Sequence, residues 1–387
     1  MIPPAGSPTV LGIPESHFCT RGTKMQLRRS LLLALCIVLF IYFEIHSCSR
    51  DQITAPKPAP PVESIICSAT DVFFYDADFG CITGALGTFI VTADGGKTWK
   101  GSVINEGNLN NVQFTDRSNG WIVSKDGVIL KTIDGGVTWA QMAPSGFPVG
   151  EDFYKLAFFN ESFGYVLGYH GVYRTDDGGE NWANNWLPVV PYRGAWDMSF
   201  ADGRTGYLLG SRYTDPDPSI LYRTTDGGAS WSPVQGSKAT TLRTVLAISF
   251  VDEMTGWAGG GVILKTTDGG ESWETQVAAA TIREFHFLSK QYGFAVGGKT
   301  ILRTTDGGDT WENVTPPDDR IKDLRSVYFL DENNGWVAGR AADEEAGERI
   351  LKHSILLRTT DGGATWTIKD FPYDYAGLAS PEEAGDL

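Results

Sequence analysis

Eight residues, Thr304–Trp311, read TTDGGDTW. Close copies recur along the chain as TADGGKTW (92–99), TIDGGVTW (132–139), TDDGGENW (175–182), TTDGGASW (224–231), TTDGGESW (266–273) and TTDGGATW (359–366). Seven copies spaced roughly 40 to 55 residues apart call for a repeat fold. Each copy is a local device. Its Asp carboxylate accepts hydrogen bonds from backbone amides just ahead, and Gly-Gly takes the positive φ angles of a tight hairpin. The Trp opens the next strand and is large enough to wedge under the turn. The seven equivalent carboxylates, Asp94, Asp134, Asp177, Asp226, Asp268, Asp306 and Asp361, are therefore read as structural, because chemistry rarely needs seven identical sites.

Aligning on this box extends the unit upstream to V-x-F, a short polar turn, Gly-aromatic, V-G and I-L-[KR]-T. The phenylalanines are Phe74, Phe114, Phe158, Phe200, Phe250, Phe287 and Phe329. The aromatic after glycine is Trp121, Tyr165, Tyr207, Trp257, Phe294 or Trp336, with Cys81 in its place in the first unit. Period-two runs rich in β-branched and aromatic residues, punctuated by Gly and Asp, predict four short strands per unit. A chain with 12% aromatic residues and 46 glycines suits such an all-β architecture. The expected fold is a seven-bladed β-propeller of four-stranded antiparallel blades over residues 62–375. A solenoid of sheets is the competitor, and radial closure is preferred because it leaves few unprotected edges. Residues 62–69, VESIICSA, are expected to add an outer strand to the last blade.

Ahead of the repeats, MQLRRSLLLALCIVLFIYFEIHSC from Met25 has a basic start at Arg28 and Arg29 and an apolar run, Leu31–Phe43. That run is shorter than the ~20 residues of a spanning helix, so an export signal is preferred to a membrane anchor. Ile45-His46-Ser47-Cys48 resembles a bacterial lipobox, which would make Cys48 the lipidated first residue of the mature chain; an uncleaved short anchor is the alternative. Residues 1–24 are read as preceding the true start, 25–47 as a lipoprotein-type signal peptide, 48–61 as a Pro-rich tether and 376–387 as a disordered tail. The expected location is a bacterial membrane, facing the periplasm or the cell surface. Pairing Phe74 with Gly80 sets Cys81 beside Phe73 and leaves Cys67 about 20 Å along the strand, so no disulfide is expected. A formal charge of -15 repels nucleic acid and anionic lipid, and anion binding would need a local basic patch.

Strand direction divides the two faces of the ring. With strands A to D in each blade, the A–B turns and the boxes share one face, and these are short and alike (Thr115–Asn119, Asp252–Thr255, Asp331–Asn334). The opposite face varies, with insertions at 211–220 and 340–355 and a long loop at 183–196, and binding normally falls to such loops. There Arg193, Arg243, Arg283 and Arg325 enter strand A of four consecutive blades and could converge at the channel mouth as a carboxylate- or phosphate-binding patch. Alternatively each pairs with a nearby acid such as Asp197, Glu284 or Asp323. Trp186, Tyr192, Trp196 and Tyr213 could supply flat contact area. A second basic series, Lys131, Arg174, Arg223, Lys265, Arg303 and Arg358, is expected to lay aliphatic stems over the box Trp.

The boxes resemble the Asp-box (BNR) repeat. The longer unit, LRSVYF…NNGWVAG…ILLRTTDGGATW, is similar to the repeat of the photosystem II stability/assembly factor family. That resemblance implies a seven-bladed propeller acting as a non-enzymatic chaperone for newly made membrane subunits, and it supports a partner-binding module better than photosynthesis itself. It also implies an Arg-lined surface, onto which Arg193, Arg243, Arg283 and Arg325 map. The implied partner is a protein or peptide, such as a membrane-protein subunit, and the chain is expected to work as a monomer without cofactor or metal. The enzyme alternative is a sialidase-like or xyloglucanase-like glycoside hydrolase using Asp215, Asp217, Asp343, Glu344 or Glu345. It lacks the F-R-I-P signature and a recognisable carboxylate pair. Five histidines with no zinc spacing give no metal cluster.

Overall fold

Each of the seven repeats folds into an antiparallel sheet of consecutive strands, and the chain contributes these sheets in sequence order around a ring. The computed structural model describes residues 67–374 except 126, 143–146, 148–149, 186–191, 213–219, 236–244, 279–280, 343 and 347–348. Backbone alone is described for 67, 184–185, 192–194, 211–212, 220, 344–346, 349–353 and 372–374. The segments read as signal peptide (25–47), Pro-rich tether (48–61, with Cys48) and C-terminal tail (376–387) lie outside the described residues. Blade 1 comprises Cys67–Phe74, Gly80–Ala85, Thr88–Thr92 and Lys100–Val103, and blade 7 carries the equivalents Ile321–Phe329, Gly335–Ala341, Arg349–Thr359 and Thr367–Asp374. In the first hairpin Phe73 faces Cys81 and Phe74 faces Gly80, the expected register, and Cys81 is a buried free thiol.

The core lies between blades. In six of the seven seams the strand-A Phe of one blade stacks face to face on the strand-B aromatic of the blade before it. Phe158 lies on Trp121, Phe200 on Tyr165, Phe250 on Tyr207, Phe287 on Trp257, Phe329 on Phe294 and, across the closure, Phe74 on Trp336, with centroids 3.5 to 4.1 Å apart. The box Trp then meets the edge of its own blade's Phe, as Trp311 meets Phe287 at 6.0 Å and 88°. Each pair adds ~0.5–1.5 kcal/mol to the area buried. The glycine ahead of the strand-B aromatic lies beneath the Phe ring: a Cβ on Gly335 would fall 2.2 Å from Phe329. Cys81 cannot stack, and in that seam Phe79 meets Phe114 edge-on at 5.1 Å.

Among the described residues the ring is closed by side-chain packing and hydrogen bonds between blades 1 and 7. Ala69, Val72, Phe74 and Trp99 pack with Trp336, Leu356 and Phe371 in one cluster. The Ala69 amide donates to Ser354 Oγ (2.9 Å), and the Val72 amide donates to Ser326 Oγ (3.2 Å). Residues 62–69 were expected to extend the last blade. Instead Cys67–Ala69 open the inner strand of blade 1 opposite Ala85 and Gly84, and Thr367–Asp374 is the outermost strand of blade 7. Residues 62–66 lie outside the description. The described residues of the insertion at 340–355 are β-structure: strand C begins at Arg349, and Glu344–Ala346 pairs with its first residues.

Each box is a hairpin lock. In blade 6, Thr304 Oγ1 accepts from the Gly308 amide (2.7 Å) and donates to Asp306 Oδ1 (2.9 Å). Asp306 in turn accepts from the Thr310 amide (2.9 Å) and hydroxyl (2.6 Å). The hydroxyl and amide of Thr310 hold the Asp306 carboxyl down at about 2. Gly307 and Gly308 sit at φ of 75° and 93°, which only glycine adopts freely.

The second basic series has a different role from the expected one. Its stems lie near the strand-B aromatic, not the box Trp: the Lys131 ammonium is 5.3 Å from the Trp121 ring and the Arg358 guanidinium 5.7 Å from Trp336. Its heads reach the next blade's box, where Lys131, Arg174 and Arg303 donate to the carbonyls of Gly178, Gly227 and Gly362. The series is an inter-blade clamp.

Candidate functional site

The box face of the ring has its turns tied to one another by backbone hydrogen bonds. On the box face, the first Gly of every box donates to the A–B turn of its own blade, as Gly95 does to Asp78 O (2.8 Å) and Gly307 to Gln291 O (2.8 Å). Those turns are themselves capped, Asp76 Oδ1 accepting from the amides of Asp78 and Phe79 at 2.9 Å each. The face is locked turn against turn.

At the other end of the inner strands a β-bulge recurs four residues before the strand Phe, at Thr70 in blade 1 and Asn110 in blade 2 as in later blades. In blade 4 the break falls between Ala195 and Asp197, and in blade 7 between Leu324 and Ser326, so Trp196 and Arg325 occupy the same bulge position. Arg283 stands at the corresponding place in blade 6, four residues before Phe287. Tyr154 and Leu246 fill it in blades 3 and 5. This rim position thus carries polar Thr70 and Asn110 in blades 1 and 2, an apolar arc of Tyr154, Trp196 and the 43%-exposed Leu246 in blades 3 to 5, and a cationic arc of Arg283 and Arg325 in blades 6 and 7. Tyr154 and Trp196 are partly buried against the clusters of blades 3–4 and 4–5. Burial, with Asp152 nearby, pushes the Tyr154 hydroxyl up to about 12, so it stays neutral.

Arg283 and Arg325 meet on one carboxylate. Arg283 Nε donates to Asp323 Oδ1 (3.0 Å) and Arg325 Nε donates to Asp323 Oδ2 (3.1 Å), while Arg325 Nη1 donates to Ser68 Oγ of blade 1 (3.1 Å). The segment is pinned across the seam, since the Leu324 amide donates to Gly298 O of blade 6 at 2.6 Å. Two guanidiniums from neighbouring blades thus share a fixed carboxylate. Arg193 and Arg243 stand seven residues before their strand Phe rather than four. Arg193 lies in a further bulge between Tyr192 and Gly194, where side chains are not described. Arg243, Trp186, Tyr213, Asp215, Asp217 and Asp343 lie outside the described residues. Tyr192 begins the inner strand of blade 4, and Glu344 and Glu345 lie in the short strand of the blade 7 extension, with backbone alone described for all three.

Below the rim an axial cavity of about 350 Å³ is lined by inner-strand side chains of all seven blades. Its charged groups face inward but are used to stitch blades together. Asp71 accepts from Asn111 Nδ2, the Val112 amide and Ser326 Oγ at 2.6, 2.9 and 2.7 Å. Lys155 Nζ donates to Asp197 Oδ1 (2.6 Å), whose other oxygen accepts from the Ile248 amide (2.7 Å). Glu284 Oε2 accepts from the Val327 amide (2.9 Å). Burial and then the Asp71 charge push Glu284 up to about 8; burial pushes His286 down to about 4. Burial works against the Lys155 ammonium, yet Asp197, Glu284 and Asp71 together hold it above its ordinary value. The two acids expected as partners of the arginines, Asp197 and Glu284, are thus committed to the cavity wall, and Asp323 alone of the three serves the rim. Among the described residues no group of three or more His, Cys, Asp or Glu side chains is placed to hold a metal ion.

A family model described as photosynthesis system II assembly factor YCF48 matches residues 60–184, 186–278 and 276–372. No curated protein matches the chain. Among solved structures, "YCF48 bound to D1 peptide" is similar over 79% of this chain and 98% of its own, at 20% identity and a TM-score of 0.61. YCF48 from Cyanidioschyzon merolae aligns over 72% and 94%, at 20% identity and a TM-score of 0.56. A GH74 enzyme from Niastella koreensis shares the architecture at 13% identity and a TM-score of 0.53, with 78% of this chain covering 58% of that one.

Proposed function

The chain belongs to the photosynthesis system II assembly factor YCF48 family, and from that membership we propose that it is a non-catalytic propeller that binds an acidic protein or peptide segment. The segment lies across the variable-side rim, with its carboxylate taken by Arg283 and Arg325. One observation carries the reading: guanidiniums from adjacent blades converge on a single carboxylate, whereas the box face is tied turn to turn. Planar, multi-donor capture of this kind suits carboxylates. The apolar arc of Tyr154, Trp196 and Leu246 gives an adjoining surface for non-polar side chains. A related propeller bound to a peptide supports a peptide-like partner.

Arg193, Arg243, Trp186, Tyr192 and Tyr213 belong, on this reading, to the same face and widen the contact. The partner is a newly made membrane-protein subunit, met by a monomer that has been exported and tethered through a lipid on Cys48. The apolar run Leu31–Phe43 and the Pro-rich stretch before the first blade support that placement. Catalysis is not part of the proposal, because the bonds made by Asp71, Asp197 and Glu284 tie neighbouring inner strands together. The test is a titration of acidic peptides, followed by fluorescence anisotropy, against the wild type and an Arg283→Ala/Arg325→Ala double variant. Binding weakened at least tenfold at an unchanged melting midpoint is the expected result, and undiminished binding overturns the site.

A further inference from the structure

We propose that Asp323 is a built-in occupant of the carboxylate site, and that it sets the affinity and charge selectivity of the rim for acidic segments. The inference rests on the reading of Arg283 and Arg325 as a carboxylate-binding pair and adds a competitor to it. Asp323 presents one oxygen to each arginine, at 3.0 and 3.1 Å, as a bound ligand carboxylate would. It is partly open to solvent, its side chain 22% exposed against 45% for Arg283 and 31% for Arg325. An incoming carboxylate can therefore reach the same guanidiniums.

Only part of the donor capacity is used by the internal carboxylate. Both contacts go through Nε, and Arg325 Nη1 is satisfied by Ser68. Among the described residues, the terminal nitrogens of Arg283 have no hydrogen-bond partner. A guanidinium carries five N–H donors, so a second carboxylate can join at the outer edge of Arg283 or displace Asp323 altogether. Either way it meets the Asp323 charge. A carboxylate so placed lowers affinity for any acidic ligand and leaves neutral ligands untouched. It also keeps the two cations from binding anions indiscriminately, while the Leu324 amide bond to Gly298 O holds the pair in place.

The experiment compares the full-length wild type with Asp323→Asn and Asp323→Ala. The probes are a synthetic peptide containing Glu residues and a free C-terminal carboxylate, and its Gln-substituted, amidated counterpart, titrated at low and at physiological salt. Melting midpoints are recorded for all three proteins. Asp323→Asn keeps the shape and one acceptor, and is expected to bind the acidic peptide roughly five- to tenfold more tightly, with a steeper salt dependence and no change for the neutral peptide. Asp323→Ala is expected to shift in the same direction. Unchanged or weaker binding of the acidic peptide by both variants overturns the inference and makes Asp323 a residue that merely positions the arginines. Failure of all three proteins to bind the acidic peptide overturns the carboxylate-site reading itself.

Discussion

At the scale of single residues, the box is held by its first Thr as much as by its Asp. Thr304 is 2% exposed, and its hydroxyl bonds both the Gly308 amide and the Asp306 carboxylate. Thr304→Val keeps the shape but leaves that amide without an acceptor, a cost of ~1–3 kcal/mol. Differential scanning calorimetry should show the midpoint lowered by a few degrees, and an unchanged midpoint would contradict the role. The cavity groups give a pH signature. Glu284, pushed up to about 8 from 4.5, keeps its proton in the folded state, so its contribution falls as pH rises through that window. Asp71, also raised by burial, acts in the same sense. His286, pushed down to about 4 from 6.5, stays neutral when folded, so its contribution grows as pH rises between those values. The terms oppose one another between pH 4.5 and 6.5, and above 6.5 only the loss remains. Below pH 3.8 the box carboxylates lose their advantage, Asp306 down to about 2. Thermal midpoints should therefore form a plateau near pH 5 to 6.5 and decline towards pH 8; a midpoint still rising from 6.5 to 8 would contradict this assignment.

At the scale of elements, the aromatic stack between blades was partly legible. The Gly-aromatic pair and the strand-A Phe can both be read from the repeat, but their contact across a seam, rather than within a blade, is visible only once the ring is closed. The basic series was misread for the same reason. Lys131 precedes its own box Asp134 by three residues, so local spacing points to the Trp of that box, whereas the carbonyl it reaches, Gly178, lies in the next blade. Rim positions were obscured by bulges, which break the count of two that relates residues along a strand. Aligning on the strand Phe rather than on the arginines would have grouped Arg283 with Arg325 and put Trp196 beside them. The stack predicts unequal seams. Trp257→Ala removes a buried ring 3.5 Å from Phe287 and the Nε1 bond to Gly307 O, and should cost ~3–5 kcal/mol. Cys81→Ala, at the seam without a stack, should cost ~1 kcal/mol. Urea denaturation distinguishes the two, and equal losses would contradict the stabilising role of the aromatic stack.

At the scale of the whole molecule, seven like sheets explain both the ring and its division of labour. Fold class and blade number follow from the recurrence of one hairpin box, because each unit buries its aromatic only against a neighbour. What recurrence could not reveal is which side chain each blade places at the inner-strand bulge, and the candidate site lies where blades 6 and 7 place arginines there. The central claim is that recognition belongs to the variable rim and not to the box face. The box face also has apolar side chains available, Ile133 and Val137 of blade 2 being 72% and 82% exposed, so the comparison is a fair one. The most direct measurement is the dissociation constant of an acidic peptide for Arg283→Ala/Arg325→Ala beside that for Ile133→Asp/Val137→Asp. The account predicts at least tenfold weaker binding for the first pair and wild-type binding for the second. Wild-type binding by the arginine pair together with loss in the box-face pair would contradict it.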